Sequence, residues 1–451
     1  MTITDLLIIW HVGLCEALLL AALVVAINGL DDLAVDLGFL ALCRFRRPPP
    51  APAEPPPTRF AILIPAWDEA AVIGAMLARL TATQRWADYQ VFVGLYPNDP
   101  AGIIAVSALH DPRIHAVIGP RPGPTTKADC LNILWHAVAA HERRAGTRFD
   151  AIVLHDAEDV VHPLALAGFA RHLPAHAMVQ LPVLPLPDAA SPFIAGHYID
   201  EFAEAHGKEL LLRQWLGAAV PSAGVGVAID RAMLGRIAAA RRGAPFDADS
   251  LTEDYELGVH IHRLGGKALM LWDWQGGTPV ATCEHFPATW DAAVRQKTRW
   301  LTGIALSGWD RLGWQGGLAQ RWMLLRDRKA PIMALVTLAA YGLAILLGLD
   351  QLLRMALPQA AALPPVAGGV TLLLLWLNWT LLCWRLLCRA WFSGRLRGPV
   401  EGLLATPRAC VGNLINAAAA LRALSRYTSA LRAGQPLVWE KTLHRFPGSG
   451  G

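Results

Sequence analysis

Charge-free apolar runs toward the two ends of the chain restrict its folds more than any other feature. Residues 332–349 and 366–384 contain no Asp, Glu, Lys or Arg. About 20 such residues in helical form cross the hydrocarbon core of a bilayer. Residues 6–27 make a third run, interrupted only by His11 and Glu16. The chain is 54% apolar but only 17% charged, against about 25% charged in a soluble domain. That balance argues against a disordered chain and against a wholly soluble fold. The net charge of +4 is too small for nucleic acid to be the main partner. Seven scattered cysteines with no CxxC pair argue against a disulfide framework or a zinc site and suit a reducing compartment.

Flanking charge orients the runs. No Lys or Arg precedes residues 6–27, so an uncleaved anchor is expected rather than a secretory signal. Arg44, Arg46 and Arg47 follow it. Arg326, Arg328 and Lys329 precede the second run, and Arg385, Arg389, Arg395 and Arg397 follow the third. The positive-inside rule puts these clusters on the cytoplasmic side. The second and third runs then form a hairpin with an external loop near 350–365. Seven prolines within 48–57 make a semi-rigid spacer. The apolar stretch 409–421, between Arg408 and the Arg422–Arg426 pair, is short for a span and reads as an interfacial helix. The Arg422-x-x-x-Arg426 spacing also matches a dinucleotide-binding motif, but a cationic patch at the lipid edge is the favoured reading. The expected layout is an anchor (1–29), an amphipathic segment and Pro-rich linker (30–57), a mixed domain (58–310), a two-helix membrane hairpin (311–398), and an interfacial helix with a basic cytoplasmic tail (399–451). Three spans are expected, with four as the alternative.

Within 58–310, strand-like runs at 60–64, 90–96, 114–118, 151–155 and 225–229 alternate with helical patterns at 70–80 and 127–143. That alternation predicts an α/β domain with a mostly parallel sheet. No GxGxxG or Walker loop is present, so dinucleotide and P-loop readings lose their main support. Ligands of open α/β sheets collect at the carboxyl ends of strands. There the sequence places Trp67-Asp68-Glu69, Asn98-Asp99 and Asp156-Ala157-Glu158-Asp159. Asp156 and Glu158 are hard oxygen donors suited to Mg²⁺ or Mn²⁺, with Asp159 an alternative to Glu158. Acids at a helix start also favour the helix dipole without any ligand. Thr252-Glu253-Asp254 opens an apolar-periodic run, so it is both a helix start and a source of a general base. Gln296-Lys297-Thr298-Arg299-Trp300 offers a guanidinium for phosphate and a flat ring for a sugar. Lys127 opens a helix from which it could reach a diphosphate.

Together these motifs resemble the membrane-bound family 2 glycosyltransferases with a GT-A domain. Pro65-Ala-Trp-Asp-Glu69, Asp156-Ala-Glu158, Thr252-Glu-Asp254 and Gln296-x-x-Arg299-Trp300 carry the resemblance over about 58–310. Tyr96-Pro-Asn-Asp-Pro100, His155-Asp-Ala-Glu-Asp159, Thr252-Glu-Asp-Tyr-Glu-Leu-Gly258 and Trp439-Glu-Lys-Thr-Leu-His444 are similar to the phage adsorption protein B branch of that family. The resemblance implies that Ala66, Glu69 and Asp99 contact uridine and that Lys127 approaches the diphosphate. It further implies that Asp156 and Glu158 bind nucleotide and Mg²⁺ or Mn²⁺, that Asp254, beside Glu253, is the base, and that Gln296, Arg299 and Trp300 hold diphosphate and acceptor. The usual DxD pair is DxE here, which leaves the ligand set open between Glu158 and Asp159. The implied reaction is inverting transfer from a UDP-sugar to a growing polysaccharide or a lipid-linked acceptor at the bacterial inner membrane, with the catalytic domain cytoplasmic. Rival readings are single-sugar transfer to a polyprenyl phosphate and an inactive membrane scaffold. An export partner or regulatory subunit is expected. The branch usually carries a C-terminal cyclic-dinucleotide sensor, which the sequence to Gly451 does not include.

Overall fold

The computed structural model describes residues 2–45, 54–434 and 446. Arg46, Arg47, the first part of the Pro-rich spacer, and residues 439–445, Lys441 and Arg445 among them, lie outside the described residues.

The first helix, α1 (Ile3–Phe45), does not stop at residue 29. At 1.5 Å per residue it is about 65 Å long, roughly twice a bilayer core. Its second half therefore projects from the apolar layer, carrying Asp31, Asp32 and Asp36 toward the α/β domain. Four β-branched or aromatic-rich runs then build one side of a sheet, from its edge at β3 to its middle at β4: β1 (Phe60–Pro65), β2 (Tyr89–Leu95), β3 (Ile114–Ile118) and β4 (Ala151–Leu154). The short β5 (Val160–Val161), β6 (Met178–Gln180), β7 (Val183–Pro185), β8 (Val227–Asp230), β9 (Ala268–Met270), β10 (Trp274–Gln275), β11 (Thr278–Pro279) and β12 (Thr282–Glu284) follow. The main sheet has the order β3-β2-β1-β4-β8-β6-β9. Within it β8 alone is antiparallel, pairing with β4 and β6. A small sheet, β5-β12-β7, lies beside it.

Helices cover both faces. They are α2 (Ala70–Thr83), α3 (Pro100–Ser107), α4 (Lys127–Ala145), α5 (Ala165–His172), α6 (Gly196–Glu204), α7 (Leu210–Trp215), α8 (Arg231–Ala240), α9 (Glu253–Arg263) and α10 (Trp290–Leu301). One core lies between α2 and the sheet around Ile62, Ile73 and Val93; the other lies between α4 and the sheet around Leu63, Leu134 and Ile152. β1, β2 and β4, buried on both faces, read as continuous apolar runs, as strands covered on both sides should.

After the short α11 (Gly308–Leu312) come α12 (Leu318–Ala356), the one-turn α13 (Pro358–Ala361), α14 (Gly369–Arg397) and α15 (Pro399–Ala433). Among the described residues, α1, α12 and α14 are long and apolar enough to cross a membrane. The external loop is shorter than 350–365. α12 continues through Asp350, which accepts from Trp10 Nε1 at 3.1 Å and Arg354 Nε at 2.6 Å. With those partners a buried carboxylate can stay helical. The apolar stretch 409–421 belongs to a helix of 35 residues. Its small face, including Gly402, Ala405, Gly412 and Ala419, is buried and packs along α14, α12 and α10. Arg408 is correspondingly interior rather than a flanking surface cation: it pairs with Glu401 and, at 3.3 Å, with Asp200.

Charge ties α1 both to α12 and to the α/β domain. Asp31 pairs with Arg326 and with Lys329 of α12, and Lys208 Nζ of the α/β domain lies 2.5 Å from Asp36 and 2.9 Å from Glu204. The cations that signal topology in the sequence are thus partly the counter-ions of α1.

Candidate active site

The carboxyl ends of β1 and β4, the start of α4, the start of α9 and the last turns of α10 meet around one cavity of about 410 Å³. Ala66 and Glu69 stand on its wall beyond β1. Lys127, Asp156, Glu158, Glu253 and Asp254 face it, as do Gln296, Arg299 and Trp300. Residues from 66 to 300 therefore share one wall, although more than 230 positions separate the first from the last.

Each group is held by its element. Thr126 caps α4, accepting from Asp129 N at 3.2 Å, and so aims Lys127 from the first helical position. Lys127 Nζ lies 2.6 Å from Asp156 Oδ1 and donates to Gly224 O at 3.3 Å. Burial alone would lower this ammonium's pKa, but the carboxylates of Asp156, Glu253 and Asp254 hold it above its ordinary value. α9 carries Glu253, Asp254 and Glu256 in its first turn, where the helix dipole favours negative charge. Thr252 does not cap it. Burial, followed by the charge of Asp254, pushes Glu253 up to about 7. Burial also raises Asp254, against the opposing pull of Lys127 and Arg299. Trp300 sits in an aromatic cluster, its ring centroid 6.1 Å from Tyr198, 6.2 Å from Phe202 and 6.4 Å from Phe286.

Two predicted site residues turn away from the cavity wall. Asp99 caps α3: Oδ1 accepts from Gly102 N at 3.0 Å, and Oδ2 accepts from Asp68 N at 3.0 Å. It shapes the loop that bears Glu69. Asp159 is 1% exposed. Its Oδ2 lies 2.7 Å from His155 Nδ1 and accepts from Asp156 N at 3.2 Å. It braces the turn on which Asp156 and Glu158 stand. Asp156 and Glu158 are both on the wall, and both are hard oxygen donors. Among the described residues no set of three or more His, Cys, Asp or Glu is arranged to hold a metal ion. Two protein carboxylates suit a Mg²⁺ or Mn²⁺ ion whose remaining positions go to phosphate and water. Among the described residues, Gln296 Oε1 is buried without a hydrogen-bond partner.

Residues 55–303, over half of the chain, match the family model described as "Glycosyltransferase like family 2". The chain belongs to glycosyltransferase family 2. Among curated relatives it is 35% identical over 479 aligned residues to bacteriophage adsorption protein B of Escherichia coli strain K12, and equally to bacteriophage N4 adsorption protein B of Escherichia coli O157:H7. Each alignment covers 98% of this chain and 64% of the relative, so the chain spans a little under two thirds of their length. Among solved structures, a mannosyltransferase from Pyrobaculum calidifontis in complex with GDP-mannose and Mn²⁺ superposes with a TM-score of 0.52 at 17% identity, over 88% of this chain and 99% of that one. The shared architecture is GT-A.

This family 2 site also contains residues that the motifs do not flag. Gly224 takes a left-handed φ of +77°, and a Cβ there would sit 2.6 Å from Asp254 Oδ2. Only glycine lets that loop reach the turn that bears Asp254. The signal is present in Ser222-Ala-Gly-Val-Gly226, whose two glycines flank Val225 and lead into β8. Gly303 does the same from the other side: its Cβ would lie 2.5 Å from Thr252 Cγ2. The aromatic wall at Phe202 and Phe286, and His206 beside it, have no spacing signature.

Proposed function

We propose that the chain transfers a sugar, with inversion, from a UDP-sugar to a hydroxyl of a growing saccharide at a bacterial cytoplasmic membrane, in polysaccharide synthesis. The observation that carries this reading is the convergence of Lys127–Asp156, Glu158, Glu253–Asp254 and Arg299–Trp300 on one cavity. The GDP-mannose and Mn²⁺ bound by the Pyrobaculum enzyme support a nucleotide-sugar donor and a divalent cation here.

Asp254 accepts the proton of the acceptor hydroxyl. That oxygen forms the new bond to the anomeric carbon, on the face opposite the diphosphate. The bond from the anomeric carbon to the diphosphate oxygen breaks, and its electron pair leaves with UDP. Lys127 and Arg299 bind the departing phosphates, a role for preorganised cations where charge develops. Ala66 and Glu69 bound the nucleoside end, and Gln296 and Trp300 bound the sugar end. Asp99 and Asp159 act through the loops they brace. Mg²⁺ or Mn²⁺, when held by Asp156 and Glu158, supplies further neutralisation of phosphate charge. Because Arg326, Lys329 and Arg385 lie on the catalytic-domain side of the apolar helices, the domain belongs in the cytoplasm.

Asp254→Asn tests the assignment. UDP release by purified membranes, screened over several UDP-sugars, should fall about 10²–10⁴-fold, while Mn²⁺-dependent UDP binding persists. Loss of both together would remove Asp254 from the role of base. Full activity in the variant, or no UDP release by the unsubstituted chain, would favour a scaffold.

A further inference from the structure

Beyond the catalytic acids the cavity continues toward the membrane helices. Its far wall includes Tyr255, Arg213 and Asp327, and Asp327 lies on α12, which runs on into the bilayer-length apolar segment. The side wall comes from a π-helical turn, Ala205–Glu209, inserted between α6 and α7. Such turns widen a helix by one residue and recur at functional sites. Here the turn divides its side chains. A Cβ at Gly207 would touch Phe392 of α14 at 3.4 Å, and Lys208 bonds Asp36 of α1. His206 and Glu209 face the cavity.

His206 has a fixed tautomer. Its Nδ1 accepts the backbone N–H of Val183 at 2.9 Å, so in the neutral ring the proton is on Nε2. Burial lowers its pKa to about 4, which keeps the ring neutral. The described residues offer Nε2–H no hydrogen-bond partner. Phe202 lies 5.1 Å from the His206 ring and 4.9 Å from Phe286, with Trp300 beyond. Flat apolar faces, one neutral donor and one carboxylate acceptor match a sugar, whose C–H faces stack and whose hydroxyls both give and take protons. A phosphate would meet Glu209 and Asp327. The cation beside them, Arg213, is engaged at two points by Asp327 at 2.9 and 2.8 Å, and Arg326 stands 3.8 Å from Glu209.

We propose that His206 is an acceptor-binding residue, its Nε2–H donating to a hydroxyl oxygen of a neutral saccharide lying across Phe202, Phe286 and Trp300. This rests on the transferase reading above and narrows its acceptor to a sugar chain.

The test uses the full chain in lipid nanodiscs and whichever UDP-sugar of the panel it turns over fastest. A tetrasaccharide of that sugar and undecaprenyl phosphate serve as acceptors. His206→Asn keeps an oxygen for the Val183 amide but places no donor at the Nε2 position. His206→Gln places an amide N–H there. Losing one neutral hydrogen bond should raise the tetrasaccharide KM about tenfold in His206→Asn and markedly less in His206→Gln. The KM for the UDP-sugar should stay within about twofold in both. A packing role predicts the reverse order, and that outcome would overturn the proposal. Glu209→Gln reads the same subsite should His206→Asn not fold; an unchanged tetrasaccharide KM there would overturn it as well. Turnover with undecaprenyl phosphate but not with the tetrasaccharide would refute the saccharide acceptor and leave the transferase reading standing. No UDP release from any donor would end both.

Discussion

The two acidic turns of the site are held in different ways. The turn after β4 is braced from within. Asp159 engages His155 and the Asp156 amide, and Lys127 balances the outward Asp156. The start of α9 is held both from within and from without. Ser250 Oγ accepts from Thr252 N at 3.2 Å and donates to Glu256 Oε1 at 2.8 Å. Thr252 does not cap the helix, and among the described residues its Oγ1 has no hydrogen-bond partner. From outside, Gly224 closes on Asp254 and Gly303 closes on Thr252. The difference teaches that a turn whose acid bonds its own neighbours can be rigid by itself, whereas the position of Asp254 depends on elements from elsewhere in the chain. Burial is the first cause of the raised pKa of both Glu253 and Asp254.

This contrast is broken most easily from outside the α9 turn. Gly224→Ala adds a carbon where Asp254 Oδ2 already sits at 2.6 Å, on a residue at φ +77°. A left-handed non-glycine residue costs about 1–3 kcal/mol. If that strain falls on the base, kcat should drop about 10- to 100-fold with UDP affinity nearly unchanged. A kcat equal to that of the unsubstituted chain would mean that the glycine loop does not position Asp254.

The β4 turn should separate ligand from brace. Asp156→Ala is expected to weaken Mn²⁺-dependent UDP binding about tenfold, a loss of roughly 1.4 kcal/mol, without changing the melting temperature greatly. Asp159→Ala orphans the buried His155 Nδ1 and the Asp156 amide, at about 1–3 kcal/mol. It should therefore lower the melting temperature first. Calorimetry of both variants, with and without UDP–Mn²⁺, checks the crossing. If Asp159→Ala abolished metal-dependent binding in a fully folded protein, Asp159 would be a ligand after all.

That distinction marks where the sequence stops being legible. Strands β1, β2 and β4 stand out because parallel strands buried on both faces are long apolar runs, and the acids at their ends follow from the same pattern. Which acid points inward does not follow. Asp99 and Glu69, or Asp159 and Glu158, look alike in spacing, and their roles depend on which amide N–H groups lie within reach. β6 and β9, three residues each, are too short for any period to register. α15 hides its length because its buried face is glycine and alanine, which pack closely but add little hydropathy. The second half of α1 reads as a separate amphipathic segment because Asp31, Asp32 and Asp36 interrupt its apolar run, and their counter-ions lie about 170 to 300 residues away. The π turn that brings His206 to the cavity has no sequence signature of its own.

The smallest expected effect sharpens the comparison through pH. Glu253 holds its proton to about pH 7 in the folded chain, whereas an unfolded glutamate releases it near 4.3. Between those values the folded state binds the extra proton, so stability falls as pH rises through the window. Below it, the contribution is fully present. Measured in EDTA, the melting temperature of the unsubstituted chain should decline from pH 5 to pH 8, and Glu253→Gln should flatten part of that slope, by on the order of 1 kcal/mol. A slope that survives Glu253→Gln unchanged would show that Glu253 is not the group that carries it. Burial raises Asp159 in the β4 turn in the same direction, and Asp159→Asn would then be the variant that flattens the slope.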